Sequence, residues 1–159
     1  MSDARFEDGA EAALRLVAQD TEGLAVLSAL VQDAVFPITE MNYAVKKRRF
    51  ALLLNRFRWE DRGAAEAGKR GYERVQSLLV FEDVLNVQSQ GLERGETDTV
   101  LSVLSMSFVA GEDGTGRVEL VLAGDGAIAL AVEALDASLR DVSRPYLAPS
   151  GRVPDHGES

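Results

Sequence analysis

A chain of 159 residues is the length of one domain, and a chain of that size buries roughly 68–70% of its unfolded surface, enough for a core without covalent staples. The 46% hydrophobic content is that of a globular protein, and the absence of cysteine excludes disulfides, thiolate zinc sites, iron–sulfur clusters and a Cys nucleophile. A net charge of −9 works against non-specific binding to nucleic acid or anionic membrane.

Residues 1–11 are polar and aperiodic and are read as a loose end without the apolar stretch of a signal peptide. Residues 13–18 are strand-like. Asp20 and Thr21 supply N-cap oxygens, and Leu24, Leu27, Leu30, Val31 and Ala34 follow at helical spacing, so a helix is predicted over 22–34 and ended by Val35-Phe36-Pro37. The period then changes to two. Met41, Tyr43 and Val45 share a strand face, Lys46-Lys47-Arg48 form a charged turn, and Phe50, Leu52 and Leu54 resume the alternation as a hairpin. The apolar set then steps to Phe57 and Trp59, which predicts either a β-bulge near Asn55-Arg56 or a switch in which face is covered; in the bulged version Phe57 and Trp59 stay in the core and Arg56 and Arg58 project from the other face.

Glu60 to Gly71 reads as a loop, in which Ala64 to Ala67 can form one helical turn. Val75 to Phe81 and Val84 to Gln90 are strands interrupted by Glu82-Asp83. Val100 to Val109 is apolar on both faces and is placed in the middle of a sheet. Val118 to Leu122 and Ile128 to Val132 flank Gly124-Asp125-Gly126 as a hairpin. Leu135, Leu139 and Val142 predict a C-terminal helix stopped by Pro145, and residues 146–159 a loose tail. The expected fold is therefore α+β, a single domain over 12–145. It has seven to eight mostly antiparallel strands, a helix in the N-terminal half and another at the C-terminus. Such a set can close as a small pleckstrin-homology-like barrel or pack a helix on one open sheet.

Catalytic and cofactor motifs fail on their context. His156 is the only histidine and lies in the predicted tail, without the fixed partner that general base catalysis requires. Gly124-Asp125-Gly126-Ala127-Ile128-Ala129 fits a dinucleotide fingerprint in letters, but a strand and not a helix follows. Gly111 to Gly116 lacks the Lys-Ser or Lys-Thr of a phosphate loop. No cofactor and no metal ligand set is implied. The carboxylate pair Glu82-Asp83, with Tyr72, is the place where a small enzyme without metal or histidine would carry its chemistry.

Charge is the more informative feature. Residues 46–74 hold ten basic and four acidic residues, a local +6, whereas the rest holds seven basic and twenty-two acidic, or −15. Arg56 and Arg58 beside Trp59, with Lys46, Lys47 and Arg48 at the adjoining turn, form a candidate ligand-binding surface, because guanidinium groups near an aromatic suit phosphate or carboxylate. The competing reading is that these cations guard an edge strand.

Two stretches, Phe50 to Glu60 with its Asn-Arg-Phe-Arg-Trp core and Phe81-Glu82-Asp83-Val84-Leu85-Asn86-Val87, resemble a family of alphaproteobacterial proteins classified as a domain of unknown function. The resemblance spans about residues 12–145. It implies a bacterial, cytoplasmic protein and carries no activity, ligand or catalytic residue. The sequence thus points to a non-catalytic binding or interaction module whose basic hairpin recognises an anionic partner, a protein or a small ligand. Nucleic acid is disfavoured by the net charge, no membrane segment is apparent, and the oligomeric state is not encoded in any motif.

Overall fold

The computed structural model describes residues 13–68, 73–92 and 99–147. The expected loose end at 1–11 and residues 148–159 of the tail expected at 146–159, with His156 and Tyr72, lie outside the described residues. Among the described residues eleven strands and two α-helices make an α+β fold. Ladders run in the order β1 (Arg15–Ala18), β10 (Ala137–Asp141), β5 (Glu73–Phe81), β4 (Arg49–Phe57), β2 (Val35–Pro37), β7 (Val100–Ala110), β8 (Gly116–Leu122), β9 (Ala127–Val132) and β6 (Val84–Gln90). β3 (Met41–Ala44) also pairs with β4, and β11 (Tyr146–Leu147) with β5. All pairings are antiparallel. The sheet is open, with edges at β1 and β6; a pleckstrin-homology-like closure would need a ladder across those edges.

α1 (Thr21–Leu30) packs on β1 and β7 and buries Leu24 and Leu27. The Asp20 side chain accepts the Gly23 N–H at 2.7 Å, as an N-cap should. The helix stops four residues earlier than predicted. Asp33 is left-handed (φ 66°), and Val35 to Pro37 pair with β7 as a strand, so β-branched and proline residues there build sheet. Val31 and Ala34 stay buried after the helix has ended.

Three further expectations are corrected. β4 has no bulge: its register with β5 is unbroken from Phe50 opposite Phe81 to Phe57 opposite Arg74. Arg56 therefore keeps the inward phase of Phe50, Leu52 and Leu54, and Phe57 is buried on the opposite face, under Trp59 and Arg74. β7 does sit mid-sheet, but its ladder with β8 shifts between Val103 and Ser105, so Leu101, Val103 and Met106 face the core while Leu104 turns outward. The predicted C-terminal helix is strand β10, with Leu135, Ala137 and Leu139 buried at a period of two. A spacing of four fits both one helical turn and two strand periods, and Ala137 between them settles the choice. The sheet continues to Leu147, two residues past the boundary expected at 145.

The loop 60–71 contains more structure than expected: a 3-10 turn at Trp59–Asp61 leads into α2 (Arg62–Ala67). The 118–132 hairpin is as predicted, turning through Gly124 (φ 81°) and Asp125 (φ 67°), so the nucleotide-like glycines are turn residues.

Curl in the sheet positions the candidate site. β5 and β6 stand six places apart in the ladder, yet only Glu82 and Asp83 join them, a span of at most about 11 Å from Phe81 to Val84. The far edge of the sheet is thereby brought round to the β3–β4 hairpin. There the Val84 N–H donates to the Arg48 carbonyl at 2.8 Å, and the Tyr43 hydroxyl donates to the Val84 carbonyl at 2.9 Å.

Candidate functional site

The predicted basic surface separates into two groups at opposite ends of β4. Arg49 and Arg56 are seven residues apart in an extended strand, about 23 Å. At the far end Arg56 is fully buried. Its Nη1 and Nη2 donate to the two carboxylate oxygens of Glu60 at 2.9 and 2.7 Å, a bidentate fork. Nε donates to Ser77 Oγ at 2.9 Å, and Nη2 to Asp141 Oδ1 at 3.0 Å. Ser77 Oγ in turn donates to Asp141 Oδ1 at 2.7 Å, and the Leu14 N–H to Asp141 Oδ2 at 2.9 Å.

These contacts fix the charge states. Burial by itself would lower the Arg56 pKa, but the hydrogen bonds and charges of Glu60 and Asp141 outweigh it and the pKa rises. For Glu60 burial works to raise the carboxyl pKa, and the Arg56 hydrogen bond and charge overcome it, so the group stays below its ordinary range. Arg58 is also buried, hydrogen-bonded to Glu73 and 3.6 Å from Asp61. The expectation that Arg56 and Arg58 project to solvent is thus corrected: both guanidinium groups are occupied inside the fold and tie strands together. Trp59 is half-buried, its ring tilted against that of Phe57 with centroids 5.1 Å apart, and its Nε1 donates to the Gln32 carbonyl at 3.0 Å. Asp141, Ser77 and Glu60 were not singled out from sequence. The available signal was the phase of Arg56 with Phe50, Leu52 and Leu54, since a charge on a core face needs buried partners.

The near end is exposed. Lys46 and Lys47 lie in the 3-10 turn Val45–Lys47, and Arg48 follows in the left-handed region at φ 52°. Arg48 pairs with Glu133 at 2.7 Å and Arg49 with Glu82 at 3.0 Å, all four side chains at the surface. Lys46 and Lys47 make no ion pair among the described residues. Glu82 and Asp83, the sequence-level candidates for acid–base work, form the corner between β5 and β6. Glu82 is held by Arg49, and the Asp83 carbonyl accepts the Glu133 N–H at 2.9 Å.

Between the β3–β4 hairpin and the β6–β9 pair lies a cleft of about 430 Å³ that no sequence motif announces. Ile38, Met41, Tyr43 and Phe50 form one wall, and Val87, Ser89 and Ile128 the other. β3 ladders only with β4, and β6 only with β9, among the described residues, so the cleft is a seam between two strand edges. Its lining is mostly apolar, with the hydroxyls of Thr39, Tyr43 and Ser89 as polar points. A volume within the 300–1,000 Å³ typical of ligand pockets, apolar walls and a few polar groups are the attributes of a small-molecule site.

Fold and cleft define a compact α+β domain on an open antiparallel sheet, with a binding-sized seam where the sheet curls toward itself. Residues 14–156 match the family described as a protein of unknown function, DUF2948, and the chain belongs to that family. No curated protein and no solved structure matches it. Among the described residues no helix is long and apolar enough to cross a membrane.

Proposed function

We propose that the protein is a non-catalytic binding module that takes a small, predominantly apolar ligand into the seam between β3 and β6. The observation that carries this reading is the cleft: about 430 Å³ walled by Ile38, Met41, Phe50, Val87 and Ile128 between two unladdered strand edges. Burying an apolar ligand there contributes roughly 25 cal/mol per Å² removed from water, and the few polar groups of the lining limit its orientation. The buried Arg56 and Asp141 and the partly exposed Glu60 are committed to one another at the far end of β4, which supports binding over acid–base chemistry at the seam.

Methyl NMR with 1-octanol tests the reading. Saturable shifts confined to Ile38, Met41, Val87 and Ile128 are expected, and they should vanish in Ser89→Phe, whose ring fills the seam. Shifts that are absent, or spread over the surface without saturation, would overturn it.

A further inference from the structure

We infer that the ligand of the β3–β6 seam is an acidic amphiphile, held with its apolar body in the cleft and its anionic head at the tip of the β3–β4 hairpin. This rests on the seam being a ligand site, and adds the chemical class.

The argument begins with charge accounting at the tip. Of the four consecutive cations Lys46 to Arg49, Arg48 is matched by Glu133 and Arg49 by Glu82. Lys46 and Lys47 are exposed, without an ion-pair partner among the described residues, and only Asp83 at the adjoining corner stands against them, so a net positive charge is left over at this place. The place is beside the cleft. Tyr43 lines it, and Lys46 follows three residues later, no more than about 11 Å along the chain. The Arg48 carbonyl accepts the Val84 N–H, which pins the turn against the first residue of β6, three residues before Val87 in the opposite wall. A flexible ammonium on a four-carbon stem suits an anion whose head remains partly in water, where a rigid bidentate fork is not required.

The rest of the molecule favours the same orientation. The chain as a whole carries −9, so an anionic head is repelled over most of the surface and tolerated beside the two exposed lysines. The other polar points of the cleft, Thr39 and Ser89, are neutral. Size follows from volume: about 430 Å³, at ~30 Å³ per water-sized unit, admits a body of about a dozen carbon atoms. A medium-chain monocarboxylate is therefore the ligand class that matches apolar wall, cationic rim and volume together.

Isothermal titration with decanoate and with 1-decanol, on the full-length protein, tests the inference. The Lys46→Ala/Lys47→Ala double variant should bind decanoate about three- to tenfold more weakly and decanol unchanged, as expected for partly screened charge pairs. Added salt should weaken decanoate binding to the wild type and leave the double variant unaffected. Ser89→Phe should lose both ligands. If wild type binds both ligands but the double variant weakens neither, the head-group assignment is overturned and the seam stands as an apolar site. If wild type binds neither, the seam reading fails and this inference with it.

Discussion

Arg56 and Asp141 are 85 residues apart along the chain, yet their side chains meet at 3.0 Å with 0% and 3% of their surface exposed. This contact joins β4 to β10 across the intervening β5, which adds Ser77 to the same cluster, while Glu60 closes the solvent side.

Breaking that pair should be costly. Removing one member of a buried ion pair leaves an uncompensated charge, typically about 3–5 kcal/mol. Asp141→Ala and Arg56→Met should each lose stability on that scale in urea unfolding, whereas Arg48→Ala, at an exposed pair, should lose only ~0–1 kcal/mol. Equal effects at the two ends of β4 would contradict the burial described.

Acid stability carries a signature of Glu60. Its carboxyl is held below the ordinary value of 4.5 in the fold, chiefly because the Arg56 hydrogen bond and charge overcome the opposing effect of burial. A depressed folded pKa means stability that is present above the unfolded pKa and lost as pH falls through the folded one. Wild type should therefore exceed Glu60→Gln in stability at neutral pH. The two curves should converge as pH drops below about 4, where the unfolded carboxyl takes its proton. A difference that stays constant from neutral to acidic pH would exclude the linkage.

The irregularity in β7 can be read by two neighbouring substitutions. Val103 is 0% exposed and Leu104 is 40% exposed, because the ladder shifts between Val103 and Ser105. Val103→Asp should cost several kcal/mol and prevent soluble expression, since a buried carboxylate there has no partner. Leu104→Asp should change stability by only about 0.5 kcal/mol, as surface substitutions do. Comparable loss in both variants would place Leu104 inside.

Gly91, just past β6, adopts φ 69°, and a Cβ there would lie 2.7 Å from the Asp125 carbonyl oxygen. Gly91→Ala thus combines left-handed backbone strain of about 1 kcal/mol with a clash against the β8–β9 turn. A clear fall in melting temperature is expected, together with altered amide shifts at Asp125 and Gly126. A variant as stable as wild type would show that the turn moves aside freely.

Sequence alone determined the elements whose cause is local. The hairpins 41–54 and 118–132 follow from period-two alternation around a charged turn and a Gly-Asp-Gly turn, and the start of α1 follows from the Asp20 cap. It also determined the family, whose match covers residues 14–156. What remained for the tertiary structure were features set by partners distant in the chain. Residues 137–141 became a strand because β1 and β5 flank them with open ladders, and a spacing of four does not distinguish the two periods. Arg56 turned inward because Glu60, Ser77 and Asp141 converge on it, a meeting that no window of sequence around β4 contains. The cleft arises from curl: only when β6 is carried round to Arg48 and Tyr43 do Met41, Val87 and Ile128 come to face one space. Local periodicity sets which face of a strand is apolar, but the twist accumulated across the whole sheet sets which faces meet.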